Sequence, residues 1–189
     1  MTKVSSPSVY QLKVTLAHVR PAVWRRLLVP SSVKLHQFHD ILQVAMGWTD
    51  SHLHQFEAQG QLYGEPDPEF GLSVKDETRV PLGQVLPQEG ASMLYEYDFG
   101  DGWIHQIVLE KILPASAELK VPSCIAGARA CPPEDCGGAG GYAEFLKAIK
   151  DPSHPEHEEM LEWSGGDFDP ASFDTEAMNK FFASRKGWR

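Results

Sequence analysis

The sequence has few cysteines, no long apolar run and no excess of positive charge. Three cysteines among 189 residues cannot all pair within the chain, and this argues against a disulfide-stapled fold. The apolar runs are only a few residues long, whereas a membrane-spanning helix needs about 20 residues. The first residues also lack the apolar stretch of a secretory signal. We therefore expect a cytoplasmic protein that does not bind membranes.

The charge is unevenly distributed along the chain. The net charge is −9. Residues 1–60 carry six Lys and Arg against three Asp and Glu, whereas residues 61–189 carry eleven against twenty-three. An acidic surface repels phosphate backbones, so non-specific nucleic-acid binding by the whole domain is disfavoured. One route to nucleic acid remains, a local basic face composed of Arg20, Arg25, Arg26 and Lys34.

Hydrophobic periodicity predicts strands first and helices later. Residues 10–16 alternate apolar and polar side chains, which is typical of a half-buried strand, and residues 22–29 read as its extended neighbour. Apolar residues at helical spacing predict a helix over 35–46, and Gly47 is a suitable C-terminal stop. Residues 52–57 with 61–63, and residues 92–97 with 103–112, predict two hairpins. Residues 64–79 are expected to form a surface loop.

The C-terminal third is expected to be helical. Residues 124–141 combine Cys, Pro and Gly in a way that predicts a structured loop rather than a strand or helix. Helices are predicted from Tyr142 onward, from a capping box at Ser153 to Glu156, and after an N-cap at Asp174. These elements predict one α+β domain over residues 1–189, a largely antiparallel twisted sheet with helices on one side. Its ordered core is expected over about 8–183, with flexible segments at 1–7 and 184–189.

Four motifs carry a resemblance to a known family. They are Pro21-Ala-Val-Trp-Arg-Arg26, Met46-Gly-Trp-Thr-Asp-Ser-His-Leu-His-Gln-Phe56, Tyr97-Asp-Phe-Gly-Asp-Gly-Trp-Ile-His105 and Cys131-Pro-Pro-Glu-Asp-Cys-Gly-Gly138. Together they resemble the root-inducing-plasmid (pRi) open-reading-frame-three-like family, which is also catalogued as a resolvase-labelled passenger of an insertion element. The resemblance implies an association with mobile elements and no established molecular activity.

The three cysteines are candidate zinc ligands. Cys124, Cys131 and Cys136 are separated by six and four intervening residues, and thiolates with one histidine can hold Zn²⁺ tetrahedrally. His105 is the preferred fourth ligand, with His52 and His54 as alternatives, because two histidines two apart on a strand share a face. Paired CxxC knuckles are absent, so reduced thiols that pack a loop are the competing interpretation.

Carboxylates and glycines supply two further candidate sites. Asp98 and Asp101 in the hairpin turn, with Glu134 and Asp135 in the loop, are candidates for a hard-cation site or for acid–base catalysis beside His105, if hairpin and loop meet. The competing interpretation is that the aspartates are turn formers. A helix N-terminus can bind an anion through exposed amides. The candidate residues for such an anion site are Gly137, Gly138, Gly140 and Gly141.

These features support three functional hypotheses. The first is a non-enzymatic or accessory binding domain with a cleft between the Tyr97–His105 hairpin and the Cys131–Gly138 loop. The second is a metal-dependent hydrolase or phosphoryl-handling enzyme that uses the histidines and carboxylates named above. The third is a DNA-binding recombination accessory, which follows from the family's label and which the acidic charge opposes.

Overall fold

An eight-stranded sheet organises the chain in the computed structural model, which describes residues 8–66, 74–116 and 118–185. The strands are β1 (Ser8–Leu16), β2 (Trp24–Pro30), β3 (His54–Ala58), β4 (Gln61–Gly64), β5 (Lys75–Asp76), β6 (Ser92–Tyr97), β7 (Trp103–Pro114) and β8 (Ser123–Ala128). Their order in the sheet is β5-β4-β3-β6-β7-β1-β2-β8. Neighbouring strands are antiparallel except β4 and β5.

Five helices accompany the sheet within the described ranges. They are α1 (Leu35–Met46), α2 (Leu82–Val85), α3 (Gly138–Lys150), α4 (His157–Trp163) and α5 (Thr175–Ser184). None of these helices has both the length and the apolar character needed to cross a bilayer. The α+β class and the helical C-terminal region predicted from periodicity are confirmed.

One face of the sheet is covered, and the other carries polar and charged side chains as well as apolar ones. In β1, Leu12 and Val14 are fully buried, and Leu12 lies opposite Leu27 of β2. On the opposite face Arg26 forms an ion pair with Glu110 at 2.6 Å. The alternation is the one expected for a strand that is half-buried, because successive side chains point to opposite faces. The helices therefore lie on one side, as the pattern predicted.

Helix α1 packs on the covered face through a stripe of buried residues that includes Phe38, Ile41 and Leu42. It ends where Gly47 adopts a left-handed backbone with φ 83°, a conformation that glycine reaches without steric cost. The chain then turns into residues 48–53, which precede β3 and carry part of the candidate site.

The sequence prediction was wrong at two places in the C-terminal third. Residues 124–141 do not form one irregular loop, because β8 extends to Ala128 and α3 begins at Gly138. An edge strand such as β8 pairs through backbone groups and needs little side-chain alternation. There is also no capping box at Ser153. Instead, Ser153 donates hydrogen bonds to Asp151 Oδ1 from its backbone N at 2.9 Å and from its Oγ at 2.7 Å. Helix α4 begins later, at His157.

The predicted cap of α5 is confirmed, and some of the other predicted boundaries lie outside the described residues. Asp174 caps α5 by accepting from the backbone N of Glu176 at 2.8 Å and of Ala177 at 3.1 Å. The predicted loop over 64–79 contains β5 and a 3-10 turn, Glu77–Arg79, and its residues 67–73 lie outside the described ranges. Residues 1–7 and 186–189, within segments expected to be flexible, also lie outside them.

Candidate functional site

The tip of the β6–β7 hairpin meets the loop between β8 and α3. Asp101, in the hairpin turn, accepts a hydrogen bond through Oδ2 from the backbone N of Gly137 at 3.1 Å. Tyr97, at the end of β6, donates its hydroxyl to Glu134 Oε1 at 2.6 Å. The bonded residues lie 37 and 36 positions apart in the chain, so two separate motifs share one surface, which is the convergence that the sequence alone could not establish.

Three side chains form a potential metal-ligand group at this junction, which we call the open trio. His52 Nε2 lies 3.2 Å from Asp135 Oδ1 and 3.8 Å from Asp98 Oδ2. Within the described part of the chain this is the single group of three or more His, Cys, Asp or Glu ligand atoms that all lie within 4.8 Å of one another. His52 Nε2 is shielded from solvent yet has no hydrogen-bond partner among the described residues.

The backbone holds the two aspartates of the open trio in different environments. Asp98 is buried, and its Oδ1 accepts hydrogen bonds from the backbone N of Gly100 at 3.0 Å and of Asp101 at 3.4 Å. Its Oδ2 is left to face His52. Asp135 has a side chain that is 70% exposed. Both aspartates have left-handed backbone, with φ 57° and φ 60°, a strained region that Asp tolerates better than most residues.

Hydrogen bonds from the loop fix the segment that carries His52. Glu134 Oε2 accepts from the backbone N of Thr49 at 3.0 Å and from its Oγ1 at 2.6 Å. The Tyr97 hydroxyl accepts from the backbone N of Ser51 at 3.0 Å, and the His52 ring packs edge-on against the Tyr97 ring at 5.7 Å. Burial, and then the hydrogen bond to Glu134, raise the pKa of Tyr97, so the phenol keeps its proton.

Sequence reasoning missed these positioning residues. Thr49, Ser51 and Tyr97 were not among the candidates, although all three lie inside motifs that were singled out. Trp48 is another positioning residue. Its Nε1 donates to the backbone O of Pro132 at 2.9 Å, and this hydrogen bond links the segment after α1 to the loop. The signal that could have found them is the density of hydrogen-bonding side chains around His52 in the second motif.

The structure does not gather the cysteines and His105 into one ligand group. Cys124 lies on β8, where its Sγ donates to the backbone O of Ala126 at 3.3 Å, and none of the three cysteines belongs to the metal-ligand group found among the described residues. All three thiols are free. Burial raises the pKa of Cys131, and it raises that of Cys136 to about 12. Such thiols stay protonated at neutral pH, which disfavours them as nucleophiles.

His105 is an interior residue rather than part of the hairpin tip. It is fully buried, and its Nδ1 lies 3.0 Å from the backbone O of Trp103 and 3.3 Å from that of Tyr95. Burial lowers the pKa of His105 to about 4. On β7 its side chain points to the covered face, where its ring packs edge-on against Trp48 at 5.3 Å.

His54 does not share a ligand with His52 but belongs to a second group, which we call the closed cluster. His54 stacks on His39 with ring centroids 3.5 Å apart, and its Nε2 lies 3.0 Å from Glu77 Oε2. His39 bonds the Tyr95 hydroxyl through Nδ1 and Asp50 Oδ1 through Nε2, both at 2.7 Å. The strand alternation that paired His52 with His54 fails because β3 begins only at His54.

The glycine-rich start of α3 packs against the protein's own backbone. The Gly137 amide donates a hydrogen bond to the Asp101 carboxylate. This carboxylate takes the place of an external anion. A Cβ at Gly138 would collide with the backbone O of Asp101, and one at Gly141 with the backbone O of Cys136. Gly140 has open space around it. Close packing therefore accounts for two of the four glycines proposed as an anion site.

The predicted basic face does not form. Arg25 is 3% exposed and its Nε donates to the backbone O of Ala45 at 2.9 Å. Arg26 points to the opposite face of β2, where Glu110 neutralises it. Lys34 donates through Nζ to the backbone O of Arg79 at 3.1 Å, and Arg20 is exposed. Four cations spread in this way do not present one surface to a phosphate backbone.

Similarity to known proteins covers most of the chain. A model of the family described as plasmid pRiA4b ORF-3-like protein matches residues 8–177. The uncharacterized protein y4hQ of Sinorhizobium fredii (strain NBRC 101917 / NGR234) is 46% identical over 175 residues, which cover 92% of this chain and 90% of that protein. The crystal structure of a protein of unknown function, MM3350 from Methanosarcina mazei Go1, matches with a TM-score of 0.82 at 38% identity, covering 92% of this chain and 98% of the other.

These similarities bear out the resemblance seen in the four motifs. None of the three descriptions names an insertion element or a resolvase. The matched residues 8–177 include the hairpin tip, the loop and the open trio. The chain therefore belongs to the plasmid pRiA4b ORF-3-like protein family.

Proposed function

We propose that this protein binds a divalent transition-metal ion through His52, Asp98 and Asp135, and that the metal's remaining coordination positions hold an external ligand. The protein is then a metal-dependent binding domain with its cleft at the hairpin tip and the loop. The observation that carries the proposal is the mutual proximity of the three ligand atoms, all within 4.8 Å.

The spacing of the ligand atoms suits a metal ion. With metal–ligand bonds of roughly 2.1 Å, two ligands of a tetrahedral ion lie about 3.4 Å apart. The separations of 3.2 Å and 3.8 Å from His52 Nε2 to the two carboxylates bracket that value. The Asp98 carboxylate is already oriented through its second oxygen by backbone amides, as supporting hydrogen bonds commonly orient metal ligands.

The donor set favours some ions over others. An imidazole nitrogen with two carboxylates suits Zn²⁺, Mn²⁺ or Fe²⁺, whereas Ca²⁺ and Mg²⁺ prefer oxygen ligands alone. Three protein ligands leave at least one coordination position open, which is typical of metal sites that bind a substrate or ligand. The exposed Asp135 lies on the solvent side of the trio, so this position is accessible from the cleft.

The same arrangement supports metal-assisted hydrolysis as a second candidate function. A metal ion with an open position can bind water and lower its pKa, which generates a nucleophile at neutral pH. The specific observation in favour is again the exposed ligand Asp135 beside two less exposed ones. Binding without turnover and hydrolysis differ in whether the metal-loaded protein cleaves an activated phosphodiester such as bis(p-nitrophenyl) phosphate.

Isothermal titration calorimetry of the chelator-treated protein with Zn²⁺ and with Mn²⁺ tests the proposal. We expect one ion per chain, and we expect His52→Ala and Asp98→Asn to abolish that binding. Asp167→Asn is the matched control, because Asp167 is an exposed carboxylate outside the trio.

Two results would contradict the proposal. One is the absence of stoichiometric binding for every ion tried. The other is binding that persists in His52→Ala but is lost when Cys131 or Cys136 is replaced by Ser, because that would restore the cysteine site predicted from sequence.

A further inference from the structure

A pocket of about 290 Å³ opens between α3 and α4, next to the open trio. Its apolar lining comes from Phe145 and Ala148 of α3 and from Met160 and Trp163 of α4. Phe145 and Ala148 are buried, so they form the floor. The volume is close to the lower end of the range for small-molecule sites, which excludes a large cofactor and fits a compact ligand.

The rim of this pocket is acidic. Asp135, Glu144 and Glu156 line it together with the apolar residues. Glu144 forms an ion pair with Lys147 at 2.7 Å, whereas Glu156 has no ion-pair partner among the described residues. Helix α4 itself carries three further glutamates and no Lys or Arg. The surroundings therefore favour a positively charged ligand over a negatively charged one.

Trp163 gives the pocket an aromatic wall that is open to ligand. Its side chain remains 46% exposed although Phe145 packs edge-on against it at 5.7 Å. The faces of indole and phenyl rings carry partial negative charge and attract cations. An exposed indole beside carboxylates over an apolar floor is the combination that binds ammonium groups attached to a hydrocarbon body.

We propose that the pocket between α3 and α4 binds a small organic amine in its protonated form. The hydrocarbon body lies on Phe145 and Met160, and the ammonium group lies between Trp163 and Glu156. Binding here does not need the metal of the proposed function. The two sites share one residue, Asp135, which borders the pocket and also belongs to the open trio, so the amine is tested on metal-free protein.

Calorimetry and tryptophan fluorescence at pH 7 with phenethylamine and with phenethyl alcohol test this inference. The two probes have nearly the same shape and differ in charge. We expect the amine to bind about tenfold more tightly than the alcohol, which is the size of a partly exposed cation–π and ion-pair contribution.

Variants assign the binding to the pocket. We expect Glu156→Gln to weaken amine binding by about three- to fivefold and Trp163→Leu to remove the fluorescence response. Glu162→Gln is the matched control, because Glu162 is an exposed carboxylate of α4 that does not line the pocket. His52→Ala is expected to leave amine binding unchanged, which separates this inference from the metal proposal.

Three results would overturn the inference. Equal affinity for amine and alcohol would show that charge plays no part. Loss of affinity in Glu162→Gln as large as in Glu156→Gln would reduce the effect to general electrostatic attraction. Absence of amine binding at millimolar concentration would exclude the pocket as a site for this class, whatever the metal titration gives.

Discussion

Two groups of histidine and carboxylate side chains contain histidines that lie only two residues apart in the chain, His52 and His54. In the closed cluster both ring nitrogens of His39 have partners at 2.7 Å. In the open trio His52 Nε2 has no hydrogen-bond partner among the described residues. Four other buried side-chain atoms of the described residues also lack a hydrogen-bond partner, but His52 Nε2 is the one that lies beside two carboxylates, and this combination points to a ligand. Residue type alone therefore does not distinguish a structural group from a binding site.

Burial explains why the closed cluster is structural. His39 is 5% and Glu77 is 5% exposed. Burial lowers the pKa of His39, and the adjacent His54 lowers it further. The two stacked rings face each other without water between them, so protonating both would place like charges in contact. The cluster therefore holds its histidines in the interior as hydrogen-bonding groups.

The largest expected effect is on stability, and it is expected when the closed cluster, but not the open trio, loses a histidine. His39→Ala should lower the free energy of unfolding by about 3 kcal/mol, because it removes a hydrogen-bond partner of the buried Tyr95 hydroxyl and opens a cavity. His52→Ala is the matched variant and should change it by less than about 1 kcal/mol. Urea denaturation followed by circular dichroism measures both. Equal losses would remove the distinction between a closed and an open group.

The pH dependence of stability should come from the buried histidines. The pKa of His39 is lowered, and that of His105 is lowered to about 4. A histidine in the unfolded chain has a pKa of about 6.5. Between these values the unfolded chain binds more protons than the folded one. The stability due to His105 is therefore complete above about pH 6.5 and lost as pH falls toward about 4, a decrease of about 3 kcal/mol.

The variant His105→Gln checks this assignment. It keeps a polar side chain of similar size but cannot titrate, so the difference between its stability at pH 6.5 and at pH 5 should be smaller than in the unmodified protein. Chemical denaturation at the two pH values measures that difference. An unchanged pH slope in His105→Gln would mean that other groups cause the acid sensitivity.

The smallest expected effect concerns the support of the open trio. Glu134→Gln keeps the shape of the side chain but removes the charge that bonds Thr49 and Tyr97. We expect a loss of about 1 kcal/mol in stability and a roughly tenfold loss in metal affinity, since residues that support metal ligands typically contribute that much. Glu144→Gln is the surface control. A stability loss without any change in metal affinity would separate Glu134 from the site.

The fold could be predicted from sequence where periodicity is strong. Alternation in Tyr10–Leu16 and the 3.6-residue stripe of α1 each specify an element and its buried face, because one side of each must leave water. Strand β8 could not be predicted in this way. Its residues Cys124-Ile-Ala-Gly127 do not alternate apolar and polar side chains, and it pairs with β2 in an irregular register, so the backbone rather than the side chains determines it.

The candidate site could be predicted as a set of residues but not as a geometry. Asp98 and Asp135 were candidate catalytic residues, and His52 was an alternative zinc ligand. Their grouping depends on three segments that only the fold brings together. The preference for His105 was an inference from its place in a motif. The period-two alternation of β7 places His105 on the same face as Trp103, Ile107 and Leu109, all of which are buried, so its place in the core could have been predicted from this pattern.

The start of α3 has a consequence for reading variation among relatives. At Gly138 and Gly141 there is no room for a methyl group against the backbone of Asp101 and Cys136. Invariance of these two glycines across the family would therefore record a tight joint between hairpin, loop and helix, and would carry no information about chemistry. A methyl group at Gly140 would have no atom within 4 Å, so relatives are expected to carry alanine at this position. If glycine is invariant at position 140, a ligand or partner outside this chain requires the space.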